Sequence, residues 1–216
     1  MTGCFVTFEG GDGSGKSTQL GLAAGRLRQI GVEPVVTREP GGTPFAESAR
    51  ALLLEGGRRS PLAEAYLIEA ARADLVGAVI RPALAAGRVV LCDRHCDSTL
   101  AYQGFGRGLD LEALRALNRA ATAGVEPDLT LLYDLDPEPA LERRANVAGS
   151  TNRIDREPLD FHRRVRQGFL RLAEAEAGRF VVLDGGLDPG RLERLTWAAI
   201  ERRLERHIDS ATGRRR

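Results

Sequence analysis

The chain is poor in aromatic residues, which fill 5% of its 216 positions and include a single Trp. A core made mostly of Leu, Val and Ala is therefore expected, and 43% hydrophobic residues suffice to build one. Cysteine is also scarce. Cys4, Cys92 and Cys96 are an odd number and cannot form a disulfide framework. The N-terminus lacks a basic segment followed by an apolar stretch, so no secretory signal is expected, and the chain is assigned to a reducing cytoplasm. Cys92, His95 and Cys96 lie close together, but Cys92 ends a strand-like run and no second ligand pair follows, so a metal centre is not expected there. No apolar run approaches the ~20 residues of a membrane span. Net charge is only +1, which gives no global attraction to nucleic acid or membrane, and neither is expected as a partner. No Pro-, Gly- or Ser-rich linker divides the chain, and its length suits one domain.

What is present is concentrated near the N-terminus. Gly10-Gly11-Asp12-Gly13-Ser14-Gly15-Lys16-Ser17, followed by Thr18, fits G-x-x-x-x-G-K-[ST], the phosphate-binding P-loop. Cys4–Phe8 before it reads as a buried strand. Leu20, Ala23, Ala24, Leu27 and Ile30 after it are spaced as on a helix. Glycines allow successive backbone N–H groups to turn inward, and these donors with the helix N-terminus favour a phosphate chain. Lys16 is placed to reach the β- and γ-phosphates of a nucleoside triphosphate, and the Ser17 hydroxyl to hold Mg²⁺. The motif alone does not separate a kinase from a GTPase or a mechanical ATPase.

Apolar runs at 4–8, 34–37, 88–92, 129–133 and 180–183 alternate with helical patterns near 16–30, 44–55, 62–86, 110–123, 137–145, 157–177 and 189–208. This order predicts an α/β fold, a five-stranded parallel sheet with helices on both faces. Residues 1–208 are expected to form the single domain and 209–216 a disordered basic tail. Ligands of such sheets sit beyond the carboxyl ends of the strands, which directs attention to the segments after each run.

Arg38-Glu39-Pro40-Gly41-Gly42-Thr43 is a turn that follows the second run. Asp93 ends the third and is the preferred Mg²⁺ acid, with Asp134 as its competitor; Arg94 beside it suits an anionic substrate. Ser98, Thr99, Tyr102 and Gln103 follow, offering the hydroxyls, carboxamide and ring that orient a small heterocycle. Arg143, Arg144, Arg153 and Arg156 bracket a polar stretch. Helix, polar stretch and helix with arginines at the rims predict a mobile lid over residues 144–156 that carries charge to the γ-phosphate.

Together these segments resemble the bacterial thymidylate kinases. The specific pieces are Thr37-Arg-Glu-Pro-Gly-Gly-Thr43, Asp93-Arg94-His95 followed by Ser98-Thr99-x-x-Tyr102-Gln103-Gly104, and Asn152-Arg153-Ile154-Asp155 followed by Glu157. The likeness covers nearly the whole chain. It implies the P-loop nucleoside monophosphate kinase fold, ATP and dTMP as substrates, dTDP as product, Mg²⁺ as cofactor and a homodimer. It also implies roles at matching positions. Arg94 and Arg50 bind the dTMP phosphate, with Arg38 nearby. Arg72, Thr99 and Gln103 face the thymine, with Ser98 beside them. Tyr102 lies near C2′ and excludes a ribose hydroxyl, and Asp12 takes the 3′-hydroxyl.

The family places its catalytic arginine either in the P-loop or in the lid. The loop interior here, Gly11-Asp12-Gly13-Ser14, has none, so Arg153 is the expected donor beside Lys16 and Arg94. The chain also departs from the family. Ile68 stands where a Phe usually stacks on thymine, and His95 where Tyr is common. An aliphatic face gives contact without π-stacking, a difference of about 1 kcal/mol. Ile68 keeps open a kinase of another nucleoside monophosphate. A nucleotide-dependent switch without an acceptor is the alternative from another class, but it leaves Arg50, Arg72 and Arg94 without a purpose.

Overall fold

The five apolar runs form one parallel sheet in the computed structural model, which describes residues 3–55, 57, 59–146 and 152–212. In chain order the elements are β1 (Cys4–Glu9), α1 (Lys16–Gln29), β2 (Val35–Arg38), α2 (Pro44–Glu55), α3 (Pro61–Leu75), α4 (Arg81–Ala85), β3 (Val89–Asp93) and α5 (Cys96–Thr99). There follow α6 (Leu111–Thr122), β4 (Leu129–Asp134), α7 (Pro137–Ala145), α8 (Leu159–Ala175), β5 (Phe180–Asp184) and α9 (Pro189–Thr212). π-helical turns at Val76–Ile80 and Leu100–Gly106 join α3 to α4 and extend α5.

The strand order is β2-β3-β1-β4-β5. β1 is central and all six of its residues are buried, which is why it reads as an unbroken apolar run. Its alternate side chains serve two cores. Cys4, Val6 and Phe8 pack with Leu20, Leu27, Trp197 and Ile200 from α1 and α9. Phe5 points to the other face, against Leu75, Val76 and Ile80. Farther along that face, Leu132 and Phe180 meet Tyr102, Phe161 and Phe169.

Every strand runs one residue beyond its apolar run, onto Glu9, Arg38, Asp93, Asp134 or Asp184. Pairing continues there because the ladder needs only backbone: Phe8 and Arg38 both pair with Asp93, and Asp134 pairs with Asp184. The carboxyl edge of the sheet is thereby set with charge. Helix starts follow ordinary capping. Ser60 accepts from the Ala63 N–H at 3.2 Å ahead of Pro61, and Asp110 from the Ala113 N–H at 2.8 Å.

Two boundaries differ from expectation. Of the loop expected over residues 98–108, residues 98–106 are helical, and their glycines serve packing: a Cβ on Gly104 would lie 2.5 Å from Leu111, and one on Gly106 2.7 Å from Phe161. α9 runs to Thr212, four residues past the expected end of the domain at 208. Residues 213–216 of the expected tail and 147–151 of the expected lid lie outside the described residues.

Leu131 is fully buried on β4, remote from the polar edge. Leu131→Ala should cost about 2–5 kcal/mol and lower Tm by roughly 5–15 °C. Thermal unfolding monitored by circular dichroism measures this; substrate KM values in the folded variant should stay as they are.

Candidate active site

The P-loop turns sharply between β1 and α1, with positive φ at Gly10, Gly13 and Gly15. Gly10 and Gly13 have φ of 136° and 82°. A Cβ would lie 2.5 Å from the Tyr133 carbonyl oxygen at the first and 2.0 Å from that of Ala140 at the second. Lys16 opens α1 as a buried side chain, its Nζ 3.5 Å from the Gly11 carbonyl and from Asp12 Oδ1. Burial first, and then the charge of Arg94, lower its pKa. Contacts this long leave its donors open to a phosphate.

One residue on, Ser17 Oγ donates to Asp93 Oδ2 at 2.5 Å. The other carboxylate oxygen, Asp93 Oδ1, is buried without a hydrogen-bond partner. An unpaired carboxylate oxygen beside a hydroxyl at a phosphate-binding loop is the donor chemistry a Mg²⁺ ion and its waters complete. Asp134, the competing acid, is taken by Arg166, which grips both its oxygens at 2.7 and 2.9 Å. The residues present therefore fit the ion at Ser17 and Asp93.

Arg94 follows β3 with φ of 73°, a conformation that L residues seldom adopt. Its guanidinium crosses to the P-loop. It donates to the Gly10 carbonyl at 3.0 Å, Asp12 Oδ1 at 2.9 Å, Ser98 Oγ at 3.0 Å and Tyr102 Oη at 3.2 Å. It also lies 5.0 Å from the centre of the Tyr102 ring, a cation–π distance. Burial works against ionisation of Asp12, but the charges of Arg94, Lys16 and Arg144 outweigh it and hold that carboxyl below the usual range.

Two adjoining cavities share Asp12, Glu39, Pro40, Leu54 and Arg94. The larger, about 650 Å³, holds Gly13, Gly15, Lys16, Ser17, Thr18, Asp93, Arg38 and Arg50. Arg143, Arg144, Asn152, Leu187 and Pro189 close its far side. Arg50 donates to the Pro40 carbonyl at 2.9 Å; burial first, and then Arg38, lower its pKa. Arg38 is exposed and paired with Glu47 at 3.0 Å. The smaller cavity, about 100 Å³, brings together Ile68, Arg72, Ser98, Thr99, Tyr102, Gln103, Arg153 and Ile154.

Two expected roles meet a different geometry. All five N–H donors of Arg72 are used within the protein. Nε donates to Glu39 at 2.7 Å, Nη1 to Glu69 at 2.5 Å and Asn118 at 2.6 Å, and Nη2 to the His95 carbonyl at 3.1 Å and Thr99 Oγ1 at 3.0 Å. In this arrangement Arg72 holds the pocket together and has no donor left for a base. Arg153, expected at the γ-phosphate, instead lines the small cavity. Its Nη2 donates to buried Glu64 at 2.6 Å and its Nε to the Leu53 carbonyl at 3.3 Å. The opposite charge of Glu64, invisible in sequence distance, draws it there. Arg143 and Arg144 are the lid-side arginines on the phosphate cavity. Arg143 is held by the Gly185 carbonyl at 2.8 Å and Arg144 by Asp155 at 3.2 Å.

Sequence reasoning missed Leu53 and Leu54 of α2, which carry no chemical signal. It also passed over Leu187 and Pro189, although they follow a strand end. The buried Glu39 was seen but not its partners: it accepts from Arg72 and lies 2.8 Å from His95 Nδ1.

A family model described as Thymidylate kinase matches residues 8–194. A thymidylate kinase of Desulfovibrio desulfuricans is 53% identical over 211 residues, covering 94% of this chain and 97% of that protein. One from Deinococcus radiodurans is 50% identical over 202 residues, covering 93% and 98%. Among solved structures, the crystal structure of thymidylate kinase from Ehrlichia chaffeensis is similar with a TM-score of 0.77 at 33% identity, covering 93% of this chain and 99% of that one.

Gly13 is the most demanding backbone position of the site. Gly13→Ala should disturb both the loop and α7, because the new methyl group meets the Ala140 carbonyl. A loss of about 1–3 kcal/mol is expected from the left-handed conformation alone, together with weakened triphosphate binding. Calorimetric titration with a non-hydrolysable nucleoside triphosphate and a parallel unfolding curve measure the two effects; unchanged affinity and Tm would show that the loop adapts.

Proposed function

The chain belongs to the thymidylate kinase family, and we infer from that membership and from the joined cavities that it is an ATP-dependent transferase converting dTMP to dTDP. The observation that carries this reading is the Arg94–Asp12 contact at 2.9 Å. It supports the reading because it sets a guanidinium from the end of β3 against the P-loop, where the two cavities meet.

ATP takes the larger cavity, its phosphates on the N–H groups of residues 11–16 and on Lys16. Ser17 and Asp93 are the residues that would hold Mg²⁺, which would supply charge neutralisation for the triphosphate. dTMP takes the smaller cavity, its phosphate toward Arg94 and Arg50 and its base toward Gln103, Thr99 and the aliphatic face of Ile68. Tyr102 stands beside the sugar and limits the room at C2′; Asp12 accepts from the 3′-hydroxyl. A phosphate dianion is already a nucleophile, so one of its oxygens attacks the γ-phosphorus in line without a general base. Positioning by Arg94 and preset charge from Lys16 supply the acceleration. The lid-side contribution comes from Arg143 and Arg144, which border the donor cavity. Arg153 serves the acceptor side.

Residues 1–208 act as one kinase domain with a lid near 144–156, and the enzyme works in the cytoplasm as a homodimer. Support for the dimer lies on α2 and α3, which pack together and expose Phe45, Leu52, Leu62 and Tyr66. No helix among the described residues is long and apolar enough to cross a membrane.

A coupled assay of ADP release across a panel of nucleoside monophosphates tests the substrate. dTMP should be the best acceptor, and UMP should be poorer by at least tenfold in kcat/KM, a difference of about 1.4 kcal/mol. Tyr102→Ala should narrow that gap. UMP turnover equal to dTMP would favour the other nucleoside monophosphate kinase reading.

The arginines separate by role. Arg143→Ala and Arg144→Ala should lower kcat by roughly 10²-fold or more with little change in dTMP KM. Arg153→Ala should mainly raise dTMP KM. Steady-state kinetics of the three variants decide between them, and a kcat loss concentrated at Arg153 would return the catalytic role to that residue.

A further inference from the structure

Glu9 is the last residue of β1 and is fully buried. A buried carboxylate is expensive unless its lone pairs are used, and each oxygen of Glu9 has one defined task. Oε1 accepts from the His95 backbone N–H at 2.7 Å. Oε2 accepts from Ser98 Oγ at 2.6 Å. Ser98 Oγ in turn accepts from Arg94 Nη1 at 3.0 Å.

Both contacts converge on Arg94. Its own N–H donates to the Phe8 carbonyl at 3.0 Å. The two consecutive N–H groups after β3 are thus tied to the end of β1, one to Phe8 and one to Glu9. This clasp holds Arg94 at its φ of 73°, a conformation that a residue with a side chain seldom adopts. At the other end, Ser98 fixes the guanidinium. We propose that Glu9 is the positioning residue for Arg94, holding its backbone through the His95 N–H and its guanidinium through Ser98. The proposal rests on the reading that Arg94 binds the acceptor phosphate.

The chemistry requires a carboxylate at this position. Arginine can only donate; a serine hydroxyl accepts one hydrogen and gives its own; a carboxylate can only accept. Arg94 to Ser98 to Glu9 is therefore a chain with one direction. A glutamine at position 9 has one acceptor oxygen. With that oxygen kept on the His95 N–H, its NH₂ faces Ser98, which then meets two donors and loses the acceptor for its own hydrogen. Part of the surroundings opposes the charge of the Glu9 carboxylate. Burial, and then the charge of Asp97, push the Glu9 carboxyl up to about 7, while Ser98, Arg94 and the His95 N–H act in the opposite sense. Arg179 offsets Asp97 from behind with contacts of 2.7 and 2.8 Å to its two oxygens.

The test is steady-state kinetics of Glu9→Gln, Ser98→Ala, the double variant and Arg94→Lys, with each substrate varied at saturation of the other. Glu9→Gln and Ser98→Ala should each raise dTMP KM about tenfold, with ATP KM within about twofold of wild type. The double variant should lose no more than the worse single one, because both break the same chain. Equal loss of affinity for both substrates, fully additive losses, or an unchanged dTMP KM in Glu9→Gln overturns the proposal. Should Glu9→Gln not fold, Ser98→Ala decides alone: an unchanged dTMP KM there is also fatal. Arg94→Lys keeps the two readings apart. If it leaves dTMP KM intact, Arg94 does not hold the acceptor phosphate. If it raises dTMP KM while Glu9→Gln does not, only the positioning role fails.

Discussion

Arg94 donates to the Gly10 carbonyl at 3.0 Å and to Asp12 at 2.9 Å, and this bridge from β3 to the P-loop makes one site of two cavities. Its reach depends on β1 and β3 being neighbours in the sheet, which brings the end of one strand beside the loop that follows the other. The guanidinium then meets four acceptors from three segments. Its geometry is over-determined, so it can stay charged in a desolvated place. Burial disfavours that charge, but Tyr102, Asp12, Asp93 and Glu9 raise the pKa of Arg94 well above its ordinary value.

Lys16 is the only lysine among 31 Lys and Arg residues. Elsewhere in the chain the basic residue is arginine, whose planar fork spreads its charge over fixed directions. The fork appears where a carboxylate is gripped by both oxygens: Arg179 on Asp97 and Arg166 on Asp134. The pairs nearest the surface contribute little to stability; their service is orientation. At the P-loop the requirement differs. A compact ammonium on a flexible stem can follow a phosphate that moves between two molecules, which a rigid fork cannot do as easily.

The acceptor side is built on a buried cluster. Glu39 lies between Arg72 and His95, and these two charges hold its carboxyl below the usual range although burial opposes them. Arg72 spends its five donors on this cluster and on α6 through Asn118. The pocket wall is therefore held together within the protein, and Gln103 and Ile68 are among the side chains that face the cavity. Glu64, near the start of α3, draws Arg153 into the same wall, which ties the segment around residue 153 to the smaller cavity.

The sequence by itself determined the P-loop, the five strands to within a residue or two, the α/β class and the acid–arginine pair at 93–94. These are local signals: glycines where φ is positive, apolar runs where both sheet faces are covered, and charge where a run stops. The helical 98–106 segment is not legible locally, because a glycine that saves space looks the same in sequence as one that turns the chain. Only the tertiary structure decided which arginine faces which cavity. Arg143, Arg144 and Arg153 are alike in type and close in number, yet their destinations differ: the first goes to Gly185, the second to Asp155 close by, and the third to Glu64 and Leu53 far back in the chain. The same holds for Glu9, which in sequence merely precedes a glycine loop. It meets Ser98 only because parallel pairing of β1 with β3 brings residues 89 positions apart within 2.6 Å. Long-range charge pairing leaves no period or motif to read, since an ion pair is set by where the backbone carries its two ends.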